Sequence, residues 1–433
     1  MNIIHLPGWA LTRLLLPLML AGAWSSQARS APIPPADLLQ QGSYLAQAGD
    51  CIACHTAAKG QPFAGGLAMN TPMGAIYTTN ITPDPATGIG NYSEADFSRA
   101  LREGVAKDGH NLYPAMPYPS FAKINDSDLH ALYSYFMHGV KPVSQANRKA
   151  DIPWPLNARW PLKLWNMVFL KSGIYSPKPD HDAMWNRGAY LVQGLGHCGA
   201  CHTPRGVAMQ EKAGDEGDAQ FLGGALLDNW VASDLSGTPN SGLGRWSEAE
   251  LSGFLKTGAN THATAFGSMT SVVNNSTQML SDDDLTAIAH YLKSLPPANT
   301  ETEPPYQYAD KGAAALLARP AGHTDARLYN EFCVHCHAVD GQGHVPFLAP
   351  LAGNPNLLDS NPVSLINVVL NGSDDLVIQG VPASYPMPKF AKQLNDEQVA
   401  EVVTFIRASW NNNAPAVTAE QVAKLRRSTQ AAR

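Results

Sequence analysis

The chain has 433 residues, a formal net charge of −6 and a charged fraction of only 15%. That length exceeds what one hydrophobic core usually organises, so two to four domains are expected. The sparse, net-acidic charge excludes the basic surface that a nucleic-acid partner requires.

In chain order, Arg13 precedes an apolar run from Leu14 to Trp24, and Ser26, Ala28 and Ser30 offer small-residue cleavage positions. Residues 1–28 read as a signal peptide cut after Ala28. The run is too short to span a bilayer comfortably, so export without a transmembrane helix is expected, with a retained signal anchor as the alternative. Residues 37–141 form a first unit. A short helical pattern carrying Tyr44 and Leu45 leads into Cys51-x-x-Cys54-His55. Gly88 to Glu94 then leads into a helix that ends near Gly104, where glycine permits a left-handed cap. Tyr113-Pro114-Ala115-Met116-Pro117 holds a Met between prolines. Asn125 is the N-cap of a closing helix over 125–137, with Asp128 placed to reach back to the cap's backbone N–H and Tyr135 two turns on.

Residues 142–180 read as a Pro- and Trp-rich linker. Within it, Trp154, Trp160 and Trp165 accompany Leu162, Leu164, Met167, Val168, Phe169 and Leu170, edged by Arg159, Lys163 and Lys171. Pro161 can start a helix there, and tryptophans with basic residues around an apolar helix suit a membrane interface. Packing against a protein partner is the competing reading.

The second unit, 181–296, repeats the layout. Tyr190 and Leu191 precede Cys198-x-x-Cys201-His202, Gly242 to Glu248 parallels Gly88 to Glu94, a helix ends near Gly258, and Ser281 caps a helix over 281–292 with Asp284 at its third position. A second linker, 297–320, leads to the third unit, 321–411. There Leu328 and Tyr329 precede Cys333-x-x-Cys336-His337, a helix over 364–370 ends at Gly372, and Asn395 caps a helix over 395–406 with Gln398 at its third position. Residues 412–433 read as a polar C-terminal tail.

The three Cys-x-x-Cys-His motifs use all six cysteines. Two thiols at this spacing form thioethers with the two vinyl groups of one porphyrin, and the adjacent histidine faces the iron. The motifs therefore predict three covalently bound haem c groups (iron), held by Cys51, Cys54, Cys198, Cys201, Cys333 and Cys336, with His55, His202 and His337 as proximal ligands. A zinc site would need four converging protein ligands, and the motifs lie more than a hundred residues apart.

A Met on the distal face gives the iron two permanent ligands and suits it to electron transfer, whereas an open face suits small-molecule chemistry. Met387, flanked by Pro386 and Pro388, is the only Met after His337, and Met116 has the same surroundings. In the second unit Met269 is the expected ligand, Met279 competes, and Met209 reads as packing. His335 and His344 are passed over in favour of Met387: His335, between the two thioether cysteines, points away from the distal face and reads as a partly exposed packing residue. Gly65-Gly66 and Gly223-Gly224 read as turns at the haem edge. There is no dinucleotide-binding glycine fingerprint and no hydrolase-type nucleophile elbow, so no catalytic residue is assigned.

Tyr77-Thr78-Thr79-Asn80-Ile81-Thr82-Pro83-Asp84, Tyr113 to Tyr118 and His197 to Gly206 resemble the tri-haem cytochrome c subunit of bacterial membrane-bound dehydrogenases. That family serves quinoprotein alcohol dehydrogenases and flavin-dependent gluconate, sorbitol and fructose dehydrogenases. Trp246 and the stretch Phe405-Ile406-Arg407 point within it to the alcohol dehydrogenase subunit. The resemblance implies an all-α fold of three tandem cytochrome c-type domains joined by Pro-rich linkers. It also implies a PQQ- or FAD-containing dehydrogenase subunit as partner, ubiquinone as acceptor, and peripheral attachment at the periplasmic face of the cytoplasmic membrane. A haem enzyme with an open iron and a free periplasmic carrier are the alternative functions.

Overall fold

Each unit is built on one helix crossing, and small residues set how close it is. The computed structural model describes residues 34–71, 73–298, 304–310, 316 and 324–431, so the expected signal peptide lies outside the described residues. In the first unit the opening helix Ala36–Ala48 packs on the closing helix Asp126–Ser134, and in the second Ala183–Gln193 packs on Asp282–Lys293. A β-carbon at Gly42 would stand 2.1 Å from the Ala131 carbonyl oxygen, and one at Gly188 would stand 2.0 Å from that of Ala287. Only glycine allows backbone-to-backbone approach of this kind. The third unit crosses Thr324–Phe332 with Asp396–Ala408, and Ala326 stands where the other two have glycine.

The remaining elements hang on these crossings. Helices Glu94–Glu103 and Glu248–Thr257 each begin with a serine capping box and end at Gly104 or Gly258 in the left-handed conformation, φ +64° and +74°. Among the described residues, paired strands are limited to two short antiparallel hairpins. One pairs Ala68 with Tyr77 through Thr71 with Gly74, the other Ala225 with Ala232 through Leu227 with Trp230. The fold is helical, as the sequence implied, with these hairpins added.

The first two units share one continuous apolar core. Leu45, Ile124, Leu132 and Phe136 belong to the same buried cluster as Leu191, Leu195, Leu285 and Leu292. The third unit has its own cluster around Tyr329, Ile366, Val403 and Trp410. A small apolar group of Ala265, Val273 and Leu376 bridges the second and third.

Three stretches fold more than their sequences suggested. The start of the 142–180 linker is strapped to the first unit: Asn80 Nδ2 donates to the Val143 carbonyl at 2.8 Å, Gln145 Nε2 to that of Ala64 at 2.8 Å, and Asp151 N–H to that of Ala75 at 2.8 Å. Within the second linker, Tyr306 OH donates to the Trp410 carbonyl at 2.6 Å. The expected polar tail contains a helix, Ala419–Ala431, which buries Val422 and Leu425 and brings Arg426 to within 2.7 Å of Asp396. Two apolar side chains at positions i and i+3 are enough to seat one face of a polar helix.

The closing-helix caps also depart from expectation. Asn395 and Gln398 form the reciprocal capping box, with Gln398 N–H donating to Asn395 Oδ1 at 2.8 Å and Asn395 N–H to Gln398 Oε1 at 3.0 Å. Asp128 and Asp284 do not reach back in this way. Asn125 N–H donates instead to Tyr190 OH at 3.3 Å, and Ser281 N–H to Tyr44 OH at 3.2 Å. Each tyrosine belongs to the other unit. Tyr190 OH donates onward to Asp128 at 2.7 Å and Tyr44 OH to Asp284 at 2.6 Å.

Candidate functional site

Every motif sits on one turn of helix directly after an opening helix. The turns are Cys51–Cys54, Gly199–His202 and Val334–His337. A single turn puts the two cysteines, three positions apart, on one side, with the histidine following. Its imidazole is then fixed by a backbone carbonyl. His55 Nδ1 lies 2.7 Å from the Thr79 oxygen, His202 Nδ1 2.7 Å from that of Ser233, and His337 Nδ1 2.8 Å from that of Ala349. A carbonyl only accepts, so each Nδ1 carries the proton and each Nε2 keeps its lone pair for a metal. Burial lowers the pKa of all three histidines against the opposing pull of that hydrogen bond, which favours the neutral ring a ligand must be.

The diglycine turns complete the proximal side. Gly65 N–H donates to the His55 carbonyl at 2.7 Å and Gly224 N–H to that of His202 at 2.8 Å. Gly65 has φ +75°, and a β-carbon there would meet Thr79 backbone at 2.4 Å. These glycines form turns, as read from the sequence, and each returns the chain to its motif histidine.

The second site is an apolar cavity of about 240 Å³ whose wall includes Cys198, Cys201, His202, Trp246 and Met269. Met269 therefore stands on the same cavity as His202, whereas Met279, in the turn Thr277–Met279, does not line it. Met209 is exposed rather than packed. In the third unit Cys333, His337 and Met387 line a cavity of about 50 Å³ with Phe332, Phe390 and Leu394. Met116 packs against the shared core alongside Cys51. His335 points to solvent.

These residues fit a covalently held porphyrin. The second cavity offers apolar walls, two thiols, an imidazole and a thioether, and the indole N–H of Trp246 is buried there without a hydrogen-bond partner. A buried donor with nothing to bind is costly, and the polar edge of a haem would satisfy it. Among the described residues, no three His, Cys, Asp or Glu side chains converge as metal ligands, so the cysteine pairs and histidines are not arranged as zinc sites.

Comparison with known proteins agrees with this geometry. The cytochrome c family pattern matches residues 186–296 and 326–410, the second and third units. The gluconate 2-dehydrogenase cytochrome c subunit of Pantoea cypripedii is 52% identical over 396 residues, covering 90% of each chain. The chain belongs to the cytochrome c subunit family of bacterial dehydrogenases. The cytochrome c subunit of the quinone-dependent alcohol dehydrogenase of Gluconacetobacter polyoxogenes is 52% identical over 404 residues, 92% of this chain and 86% of that one. The fructose dehydrogenase cytochrome subunit of Gluconobacter japonicus is 37% identical over 433 residues, 94% and 87% of the two chains. The cytochrome subunit's first unit falls outside the family pattern, yet it repeats the same histidine geometry.

Sequence reasoning missed three features of the sites. The carbonyls of Thr79, Ser233 and Ala349 carry no side-chain signature, because any residue can supply a backbone oxygen. The second cavity is walled partly by Ala48 and Asp50 of the first unit and by Pro355 and Asn356 of the third, so it is not the property of one domain. Trp246 stood out in the sequence only through the family resemblance, and its lone buried N–H gives it a physical role.

Proposed function

We propose that the chain is the non-catalytic electron-transfer subunit of a periplasmic dehydrogenase complex, carrying three haem c groups and passing electrons from a PQQ- or FAD-containing subunit to ubiquinone. The observation that carries this is the threefold recurrence of a Cys pair and a His whose Nδ1 is tied to a carbonyl. Haem c, when bound, supplies a one-electron ferric/ferrous couple. The chain's part is to orient the ring, to exclude water and to offer Met116, Met269 and Met387 on the distal side. A haem iron held by one of these histidines and one of these methionines would be suited to electron transfer rather than to chemistry at an open iron. Mass spectrometry of the denatured mature chain tests the count, with three haem adducts expected. Low-spin spectra in both oxidation states test the methionines, and a Met269→Ala chain whose second haem stays low-spin would refute that assignment.

Peripheral attachment to the membrane is part of the same proposal. Among the described residues no helix is long and apolar enough to cross a bilayer. The helix Pro161–Phe169 and its approach instead present an apolar surface: Trp154 is 83% exposed, Trp160 70%, Met167 74% and Val168 71%. Such a patch, edged by Lys163 and Lys171, suits the interfacial layer of a membrane. Trp165 and Phe169 are not part of it. The indole of Trp165 donates to the Ala208 carbonyl at 2.9 Å and its ring packs against Tyr118 and Phe169. Serine at Trp154, Trp160, Met167 and Val168 should release the complex from membranes while reduction of a soluble dye persists. Undiminished membrane attachment would count against the patch.

A further inference from the structure

The turns that carry the first and second motifs meet directly. His197, the residue before Cys198, brings its Nε2 to 3.3 Å from the carbonyl oxygen of Gly49, which stands just ahead of Asp50 and Cys51. A carbonyl only accepts, so Nε2 carries the proton and donates it. Gly49 keeps this contact close, because a β-carbon there would stand 3.4 Å from Cys51 Sγ and 3.4 Å from Leu195 Cδ2. The imidazole also meets Phe121 of the first unit edge-on, with ring centroids 5.6 Å apart, and His197 lines the second cavity. The distal side of the second site reaches the same place: the helix Ser268–Asn275, which carries Met269, packs on the first motif turn Cys51–Cys54.

A Cys-x-x-Cys-His turn does not need a histidine in this position. Asp50 precedes Cys51, and Phe332 precedes Cys333 and packs its ring against Phe390 of its own unit at 5.9 Å. His197 moreover holds a left-handed backbone, φ +36°, which residues with a β-carbon adopt at a cost. A costly backbone that aims one side chain from the second attachment turn at the first calls for a reason other than haem attachment.

The geometry points to the hydrogen bond from His197 to Gly49 as the bridge for electron exchange between the first and second haem sites, with His197 as the residue that positions it. This rests on the electron-transfer reading above and gives two of its sites a route. Tunnelling falls off more slowly along covalent and hydrogen bonds than across a van der Waals gap. Here the bonded route runs from Cys51 back through Asp50 to the Gly49 carbonyl, across the hydrogen bond, and along His197 to Cys198. A single electron passes in each exchange: one iron goes from ferrous to ferric, the other from ferric to ferrous, and the Nε2 proton stays on His197.

The test uses the full haem-loaded chain with His197→Asn and His197→Gln. Asn tolerates the left-handed backbone, but its amide nitrogen lies one bond nearer the backbone than that of Gln and falls short of Gly49, whereas Gln carries a donor at the reach of Nε2. Pulse radiolysis that delivers less than one electron per chain, followed by absorbance, reads how that electron redistributes among the haems. The phase linking the first and second should slow several-fold in His197→Asn and keep the unaltered rate in His197→Gln, with haem content, low-spin spectra and midpoint potentials unchanged in both. In the fully reduced, diamagnetic chain the Nε2 proton of His197 should give a slowly exchanging NMR resonance. Equal rates in the two variants overturn the bridge, as does a rapidly exchanging His197 proton. Loss of a haem or a shifted potential in either variant also overturns it, since His197 would then act by holding the second haem. An unaltered chain in which no electron moves between haems would overturn the electron-transfer reading instead, so the two failures are distinguishable.

Discussion

The junction between the first and second units and the junction between the second and third are built on different physics. The first is a shared apolar core closed by a reciprocal lock, in which Tyr44 satisfies the cap of one closing helix and Tyr190 the cap of the other. The second is mostly side chain to backbone: Ser364 Oγ accepts from Val231 N–H at 2.8 Å, Asn367 donates to the Asn229 carbonyl at 2.8 Å, and Gln278 donates to that of Val377 at 2.8 Å. The third unit could not take part in the lock. At the places of the tyrosine and the aspartate it has Leu328 and Gln398, and Gln398 caps its own helix. A fused core and a satisfied buried network make two units fold as one, while a junction of a few side-chain-to-backbone hydrogen bonds lets a third keep its own stability.

The largest effect should come from the second haem. Cys198→Ser with Cys201→Ser removes its attachment, and emptying a cavity of about 240 Å³ costs roughly 6 kcal/mol at about 24 cal/mol per Å³. Because the core is shared, the first unit should lose its cooperative transition as well. The matching change at Cys333 and Cys336 should leave the transition of the first two units in place. Calorimetry with haem counting by mass spectrometry checks both, and equal damage from the two pairs would dissolve the contrast.

Next comes the lock itself. Tyr44→Phe or Tyr190→Phe takes one donor from a buried carboxylate that Arg187 or Asn125 still serves and leaves a cap N–H without its acceptor, at about 1–3 kcal/mol each. Chemical denaturation should show the loss in the first two units only. A loss that also appears in the third unit's transition would mean the junctions are coupled.

The haem attachment was open to reading because covalent chemistry demands particular residues at particular spacing. Helix limits followed for a similar reason: Ser93, Ser247, Gly104 and Gly258 act through local backbone geometry that their own identity reports. The lock was not legible. Asp128 and Asp284 looked like local capping partners, and nothing nearby in the chain announces that Tyr190 and Tyr44 arrive from more than 60 and 230 residues away to displace them. The Met269 assignment lay between, since two methionines had suitable positions and only the cavity wall separates them.

A pH dependence gives a smaller signal. Burial acts to raise the pKa of Asp284, yet hydrogen bonds from Arg187 and Tyr44 outweigh it and hold the carboxyl below its ordinary value of 3.8. A carboxylate depressed in the folded state contributes stability above its unfolded pKa and loses it as pH falls through the folded value. The junction of the first two units should therefore hold at neutral pH and weaken below about pH 4. Asp284→Asn should flatten that part of the acid profile, as followed by thermal melting, and a profile of unchanged slope would remove Asp284 from the account.

The smallest effect belongs to the other junction. Ser364→Ala removes the acceptor of Val231 N–H, but Val231 is only partly buried, so water can take the hydroxyl's place. When water replaces a neutral partner, the net loss is the modest surplus of one hydrogen bond, about 0.5–1.5 kcal/mol, with the lower end expected here. Global stability should hardly move. Hydrogen exchange at Val231 should quicken several-fold, because that amide is held by Ser364 of the third unit. Exchange at Tyr44 and Tyr190, inside the fused pair, should not change. If it quickened as well, opening of the outer junction would require opening of the inner one, and the distinction between a fused pair and a separable third unit would fail.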